Sequence, residues 1–186
     1  MARRHLLGTL LLACLAIVPA RAETPERYEQ VYLTQEQALR VAIPDADRVT
    51  PRTYAPSVEE RKQIARRLGR RIDEPDYVFH EGTREGQTIG YAVVLEEIGK
   101  YYPITFIVGL KPDGEVREVA VMVYRERRGD AVRRGRFLNQ FDGKTSADPL
   151  MVNRDITHLT GATVSSWSIA AGVKKAAVLF ETLVKR

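Results

Sequence analysis

The segment from Thr160 to Ser166 is the part of the chain whose residue types point most directly to chemistry. It reads Thr-Gly-Ala-Thr-Val-Ser-Ser and directly precedes a long amphipathic stretch that is predicted to be a helix. A helix N-terminus presents unpaired backbone N–H groups and a positive dipole end, which together attract phosphate. Gly161 and Ala162 keep bulky side chains away from that backbone, and Thr163 places a hydroxyl where a phosphate would lie. An ordinary helix capped by Ser or Thr is the alternative that these residues leave open.

Other groups of residues are less specific. Six arginines follow residue 124 and could meet phosphate, although a solvated helix face is the more common outcome; they are Arg125, Arg127, Arg128, Arg133, Arg134 and Arg136. Trp167 is either a core anchor, which we favour, or a residue that flanks a bound ring. His80 and His158 are 78 residues apart and show no local carboxylate pattern, so we predict no metal site. The sequence offers neither a Gly-rich nucleotide loop nor a nucleophile elbow, and we predict no catalytic residues.

The first 22 residues predict a secretory signal peptide. A basic start precedes an apolar run over Leu6–Val18, and residues 20–22 read Ala-Arg-Ala, a typical cleavage site. The run is too short for a comfortable membrane span. We therefore expect a mature chain that begins near Glu23, lies in the periplasm or outside the cell, and is soluble. Lipid anchoring through Cys14 is a weaker alternative.

Removal of the signal peptide changes the charge and the cysteine content. The full chain has 29 basic and 24 acidic residues. The first 22 residues contain three arginines and no acid, so the mature chain would keep only a small positive charge, and a nucleic-acid partner is not implied. Cys14 is the only cysteine of the chain. The mature protein would then have no disulfide and no thiolate site.

The pattern along the mature chain predicts an α+β fold. Two short helices, capped by Thr34 and Ser57 and separated by a Pro-rich connector, form an N-terminal helical lead-in over residues 23–75. Four stretches rich in β-branched and aromatic residues then predict an antiparallel meander of about four or more strands; they are Tyr77–His80, Thr88–Glu97, Ile104–Leu110 and Val116–Tyr124. A final helix, from about Ser166 to Leu183, carries an apolar stripe that should pack on the sheet.

The order of three motifs resembles the FMN-binding domain family. The segment beginning at Thr160 resembles that family's flavinylation signature, [S/T]-G-A-T-x-[S/T]-[S/T]. Upstream, residues 126–129 resemble its E-x-x-G segment, and residues 137–144 resemble its F-x-x-Q-F-x-G-K stretch. The family includes the C subunit of the sodium-translocating NADH:quinone reductase and the G subunit of Rnf-type complexes. The resemblance covers roughly residues 76–184 and identifies residues 76–186 as the FMN-binding domain.

The resemblance implies a cofactor, an attachment site and partners. In the family, a flavin transferase joins FMN through its phosphate to the Thr of G-A-T, which is Thr163 here. The resemblance also implies a cradle for the phosphate, formed by Thr160, Gly161, Ala162 and Ser165. Two further residues, Glu126 and Lys144, are expected to border the flavin. The expected function is an exported electron carrier that takes electrons from a membrane or haem partner, rather than a stand-alone enzyme.

One position departs from the family signature. An acidic residue usually stands three positions before the first Ser/Thr, whereas this chain has Thr157 there and Asp155 two residues earlier. Either Asp155 reaches the same place through the loop, or FMN is bound without a covalent link, or no FMN is bound. The alternative functions are accordingly a small flavin-dependent reductase and a cofactor-free exported binding module.

Overall fold

An antiparallel β-sheet forms the centre of the structure, a computed structural model that describes residues 28–185. The predicted signal peptide and Cys14 lie outside the described residues. Within them the sheet has six strands in the order β1-β6-β5-β4-β3-β2. The strands are β1 (Gln30–Val31), β2 (Arg48–Tyr54), β3 (Tyr77–Arg84), β4 (Gln87–Ile98), β5 (Pro103–Leu110) and β6 (Val116–Tyr124).

Helices cover both faces of this sheet. They are α1 (Gln35–Ala42), α2 (Val58–Leu68), α3 (Gly135–Leu138) and α4 (Thr163–Leu179), and α4 continues as a π-helical turn over Phe180–Val184. Thr34 and Ser57 cap α1 and α2, as the sequence predicted, and each forms a capping box. The α+β class, the antiparallel sheet and the C-terminal helix are thereby confirmed.

The two faces of the sheet have cores of different size. On one face, α4 packs over β4 and β5 through residues such as Ile169 and Val173, which join the larger core with Phe106 and Val108. On the other face, α1 buries a smaller group of residues: Ala38, Ala42, Ile43, Ala92, Ile107 and Met122. The larger core fixes α4, and therefore the segment that begins it, against the middle of the sheet.

The N-terminal segment contributes strands as well as helices. Residues 48–54, which the sequence pattern assigned to a connector, form β2 at one edge of the sheet. The other edge is β1, which pairs with the C-terminal end of β6. Pro51 and the charged residues around it obscured the strand pattern of β2, and an edge strand tolerates a proline because one side of it makes no ladder hydrogen bonds. The sheet is therefore wider than the meander that the sequence outlined.

Gly172 allows α4 to approach the sheet closely. A Cβ atom at this position would lie 2.2 Å from Cζ of Phe106 and 2.9 Å from Cγ of Glu97. Phe106 is fully buried, so its ring cannot move aside without disturbing the core. The close contact, rather than helix propensity, therefore determines the residue at this position.

We predict that Gly172→Ala destabilises the protein although alanine is the better helix former. Overpacking costs about 1–3 kcal/mol, whereas helix propensity favours alanine by about 1 kcal/mol. We expect urea denaturation to show a free energy of unfolding lower by about 1 kcal/mol. The exposed neighbour provides the control, because Ala171→Gly measures the propensity alone. A Gly172→Ala variant more stable than the wild type would contradict the prediction.

A buried lysine ties the chain before β3 to α4. Lys175 is 4% exposed and its ammonium donates to Oε1 of Glu74, whose Oε2 accepts a hydrogen bond of 2.8 Å from Tyr77 Oη. Arg61 supports the same segment by donating to the carbonyl oxygens of Glu74 and Pro75 at 2.9 and 2.7 Å. Burial by itself would raise the pKa of Glu74, but the hydrogen bonds from Lys175, from its own backbone N–H and from Tyr77 outweigh it and lower the pKa from 4.5 to about 2.

This shift predicts an acid dependence of stability. A carboxyl whose pKa is lower in the folded than in the unfolded state stabilises the fold above the unfolded value and loses that contribution as the pH falls. For Glu74 the loss runs from about pH 4.5 down to about pH 2. We expect Glu74→Gln to reduce the pH dependence of the free energy of unfolding over this range. Identical pH profiles for the two proteins, measured by urea denaturation, would refute this assignment.

Candidate functional site

A cavity of about 950 Å³ lies where β6 ends, α4 begins and the loop between β4 and β5 turns. Small-molecule sites commonly have volumes of about 300–1,000 Å³, so this cavity could hold a mononucleotide. Its walls come from four parts of the chain. They are Tyr28, Lys100–Tyr102, Arg125–Gly129 and Gly161–Ser165.

The start of α4 opens onto this cavity. Thr163 is the first residue of α4 and is exposed, and Ala162 occupies the N-cap position. Within residues 28–185, no side chain caps this helix start, which excludes the simple alternative of a Ser- or Thr-capped helix. Gly161 has a φ of 81°, a conformation that favours glycine, and turns the chain into the helix. The positive end of the α4 dipole and its first N–H groups therefore remain available to a ligand.

A buried hydroxyl pair joins this helix start to the end of β6. Tyr124 Oη donates to the carbonyl oxygen of Arg128 at 2.8 Å. It lies 2.8 Å from Ser165 Oγ, so the serine hydroxyl is the donor of that second bond. Burial raises the pKa of Tyr124, which keeps the phenol protonated and able to donate. Ser165 is thus part of the framework beneath the turn.

Gly129 lets the two segments meet. Its φ is 93°, and a Cβ atom on it would lie 2.6 Å from Tyr124 Oη and 3.2 Å from Ser165 Oγ. The backbone of Ala162 is also adjacent, 3.6 Å from that position. The last residue of the E-x-x-G segment is therefore a glycine because the helix start packs directly against it.

Glu126, the first residue of the E-x-x-G segment, accepts hydrogen bonds from backbone N–H groups. Glu126 is 8% exposed, and its Oε1 accepts hydrogen bonds from the N–H groups of Tyr101 at 2.5 Å and Tyr102 at 3.0 Å. Both tyrosines line the cavity and are exposed. Glu126 therefore borders the cavity, with one carboxylate oxygen committed to the loop between β4 and β5.

The arginines after residue 124 have different roles. Arg127 and Arg128 are exposed and line the cavity together with Lys100. Arg125 also reaches the cavity, but it pairs with Glu29 at 2.7 Å and donates to the hydroxyl of Thr105 at 2.8 Å. These side chains give the cavity walls a positive charge. From the sequence alone, the same arginines could equally have formed a solvated helix face.

Gln140 holds the loop that leads into the turn. Its amide oxygen accepts from the N–H of Thr157 at 2.8 Å, and its amide nitrogen donates to the carbonyl oxygen of the same residue at 3.1 Å. Thr157 occupies the position where the family signature usually has an acid. The paired hydrogen bonds fix its backbone, three residues before Thr160.

Lys144 and Asp155 hold the same loop further back. Lys144 Nζ lies 3.0 Å from Oδ2 of Asp155. The same carboxylate accepts from the N–H of Leu150 at 3.1 Å and, through Oδ1, from the N–H of Met151 at 2.8 Å. Burial opposes ionisation, but the hydrogen bonds from Met151 and Lys144 outweigh it and lower the pKa of Asp155. Asp155 is thus engaged within the loop, and neither it nor Lys144 lines the cavity.

The structure brings together most of the predicted site residues. Glu126, Gly161, Ala162, Thr163 and Ser165 line one cavity, whereas Thr160 and Lys144 are not among its walls. The roles of all seven residues beside the cofactor stay predictions.

Sequence reasoning missed the aromatic part of the site. Tyr101 and Tyr102 follow Gly99-Lys100, a dipeptide typical of a turn. A tyrosine doublet in such a turn is a signal that could have been used. Tyr28 lines the cavity from the residues that precede β1. Trp167, which we expected in the core, is 44% exposed and lies outside the cavity walls.

The described part of the chain has further features that bear on function. Across residues 28–185, no cluster of His, Cys, Asp or Glu side chains is placed to hold a metal ion. Within the same residues, no helix combines the length and the apolarity needed to cross a membrane. His158 lies 3.2 Å from Asn153 Oδ1, while His80 is buried on the sheet.

Comparison with known proteins identifies the domain. The profile of the FMN-binding domain family matches residues 99–178, which contain the cavity walls apart from Tyr28. Residues 99–178 therefore match an FMN-binding domain, as the motifs indicated, and FMN is the cofactor.

Individual relatives extend this comparison. The chain is 22% identical, over 95% of its length and 91% of the relative's, to the G subunit of the Na⁺-translocating ferredoxin:NAD⁺ oxidoreductase complex of Acetobacterium woodii. It is 31% identical to the G subunit of the proton-translocating ferredoxin:NAD⁺ oxidoreductase complex of Clostridium ljungdahlii, over 53% of this chain and 57% of the relative. Among solved structures, NqrC of Shewanella oneidensis is 17% identical with a TM-score of 0.49, covering 80% of this chain and 72% of that one.

We predict that Gly129→Ala destabilises the protein more than Gly161→Ala. Both glycines have positive φ, so a Cβ costs each about 1–2 kcal/mol of backbone strain. Only at Gly129 would the Cβ also collide with Tyr124 Oη, at 2.6 Å, since nothing lies within 4 Å at Gly161. We expect urea denaturation of the flavin-free variants to show a larger loss for Gly129→Ala by about 1 kcal/mol or more. Equal losses would show that the close packing at Gly129 is unimportant.

Proposed function

We propose that this protein is an extracytoplasmic electron carrier whose FMN is attached through its phosphate to Thr163. The observation that carries the proposal is the position of the Thr163 hydroxyl. It is exposed on the first residue of α4, at a helix start open to a cavity of about 950 Å³. A nucleotide whose phosphate is esterified there would have its ring beside the walls of that cavity.

The start of α4 suits a phosphate. The partial positive charge of the helix and its unpaired N–H groups stabilise an anion at this end. Lys100, Arg127 and Arg128 line the same cavity and add positive charge. A phosphoester on Thr163 would keep its negative charge within this cationic environment, so attachment would cost little electrostatically.

The rest of the cavity suits a flavin ring. Tyr101 and Tyr102 offer aromatic surface, and Ala162 and Val164 offer apolar surface, on the walls that surround Thr163. Aromatic and apolar walls with a few polar groups are typical of cofactor sites. Bound here, the flavin would supply the redox chemistry, and the protein would orient the cofactor and set its electrostatic environment.

A covalent link requires a second protein. An alcohol and a phosphate do not condense in water without activation, so a flavin transferase must supply FMN from a phosphoanhydride donor. In that step the Thr163 oxygen forms a bond to the FMN phosphorus, and the phosphoanhydride P–O bond of the donor breaks. The donor's other phosphate group leaves with the bridging oxygen, and the threonine proton passes to a base. Asp155 is held by Lys144 and by backbone N–H groups, so we propose that the transferase reads the turn itself rather than that acid.

The relatives favour a membrane redox partner. They are subunits of ferredoxin:NAD⁺ oxidoreductase complexes that translocate Na⁺ or protons. We propose that this protein likewise exchanges electrons with a membrane or haem partner and turns over no substrate of its own. A covalent cofactor suits the periplasm, since no local pool of FMN would replace a lost one.

We predict that Thr163→Ala abolishes covalent flavinylation. The wild type, produced with a flavin transferase and exported, should carry an FMN adduct by intact mass and should fluoresce on a denaturing gel. The variant should lack both signals because it lacks the only hydroxyl proposed to form the ester. Thr53→Ala is the matched control, since Thr53 is an exposed threonine of β2 outside the cavity walls. It should remain flavinylated.

Two results would count against the proposal. A Thr163→Ala protein that folds normally and still carries the adduct would place the ester elsewhere. A wild-type protein that stays unmodified beside an active transferase would exclude the covalent link. The same mass measurement checks export, because a signal peptide removed before Glu23 leaves a chain of defined mass.

A further inference from the structure

The loop between β4 and β5 places two tyrosines in the wall of the cavity. We call residues 99–102 the tyrosine turn. The N–H of Gly99 donates to the carbonyl oxygen of Tyr102 at 2.8 Å, which closes the turn. Tyr101 is 68% exposed and Tyr102 is 39% exposed, and both line the cavity. Tyrosine side chains this exposed contribute little to the core, so their position needs another explanation.

A buried carboxylate holds this turn. The hydrogen bonds of 2.5 and 3.0 Å from the N–H groups of Tyr101 and Tyr102 end on the same oxygen, Oε1 of Glu126. A Cβ on Gly99 would lie 3.1 Å from that oxygen, so the carboxylate and the turn are in close contact. Hydrogen bonds to a charged acceptor are stronger than those between neutral groups, particularly when they are buried.

The base of the turn is fixed independently to α4. Ser168 Oγ donates to the carbonyl oxygen of Ile98 at 2.6 Å, where β4 ends. The same hydroxyl oxygen lies 3.0 Å from the carbonyl oxygen of Val164, one turn earlier in α4. Ser168 therefore anchors the base to the helix that begins at Thr163, while Glu126 fixes the tip.

We propose that Glu126 is a positioning residue, which acts through the tyrosine turn and holds Tyr101 and Tyr102 over the cavity to shield the flavin from water. The shielding rests on the proposed function, whereas the hold on the turn does not. Because Oε1 of Glu126 already accepts two backbone hydrogen bonds, the carboxylate influences the cofactor through the tyrosines.

Two substitutions separate this role from a direct effect of the charge. Glu126→Gln keeps a carbonyl oxygen that can accept both N–H groups but removes the negative charge. Glu126→Ala removes the acceptor altogether. A positioning role predicts that the glutamine variant resembles the wild type, whereas a role for the charge predicts that it resembles the alanine variant.

The first experiment needs no cofactor. Amide hydrogen exchange of the Tyr101 and Tyr102 N–H groups is measured in the flavin-free proteins. We expect Glu126→Ala to accelerate exchange at both amides by about tenfold or more, because each hydrogen bond to a charged group contributes about one decade. Glu126→Gln should accelerate exchange less than Glu126→Ala does, because its neutral amide oxygen still accepts both N–H groups through weaker hydrogen bonds. Asp148→Ala is the matched control, since Asp148 accepts from the Thr145 N–H at 2.8 Å outside the cavity walls.

The second experiment uses the flavin-loaded proteins and quenching of flavin fluorescence by iodide. We expect Glu126→Ala to increase quenching and Glu126→Gln to leave it nearly unchanged. In a variant that already lacks both tyrosine rings, Tyr101→Ala with Tyr102→Ala, the further change Glu126→Ala should have little effect. Such non-additivity is the signature of residues that act through one another.

The outcomes distinguish a failure of this inference from a failure of the proposed function. Unchanged exchange in a folded Glu126→Ala protein overturns the inference, whether or not flavin is present. Additive effects on quenching, or a glutamine variant that behaves like the alanine variant, overturn it as well. A protein that carries no flavin is recognised by its mass and fails the proposed function, while the exchange experiment still tests the hold on the turn.

Discussion

The contact between the end of β6 and the start of α4 is the constraint on which the site depends. Tyr124 and Ser165 share a buried hydrogen bond, and Gly129 leaves room for it beneath the turn at Ala162. The apolar face of α4 fixes the helix to the sheet. The contact with β6 then fixes the position of Thr163 in the cavity wall. A polar pair in a buried position is costly when broken, so it specifies one arrangement of strand and helix.

The three motifs that resemble the FMN-binding family act largely on the backbone. Glu126 accepts from the N–H groups of the tyrosine turn, and Gln140 binds both backbone groups of Thr157. Lys144 pairs with the aspartate that holds the loop at residues 150–151. Within the described residues, the motif side chains thus fix two loops: the tyrosine turn and the loop that leads to the start of α4. The binding surface itself is made mainly from that helix start, exposed cations and tyrosines.

Rigidity is distributed unevenly around the site. The wall formed by β6 and α4 is supported by the large core, by Gly172 against Phe106 and by the Lys175–Glu74 pair. The tyrosine turn forms another wall of the cavity. Its tyrosine side chains are exposed, and its position depends on hydrogen bonds rather than on packing. Such an arrangement fixes the start of α4 through packing, whereas the tyrosine turn is held by a few hydrogen bonds.

The fold class, the capped helices and the turn before α4 could be predicted from the sequence, because these depend on local patterns: β-branched runs, capping boxes and a glycine before a helix. The sequence did not reveal β2, since Pro51 obscured the pattern and only the pairing with β3 identifies an edge strand. The roles of Lys144 and Asp155, and the exposure of Trp167, were likewise decided by the tertiary structure. A side chain's partner is set by which distant segments meet, and spacing along the chain does not contain that information.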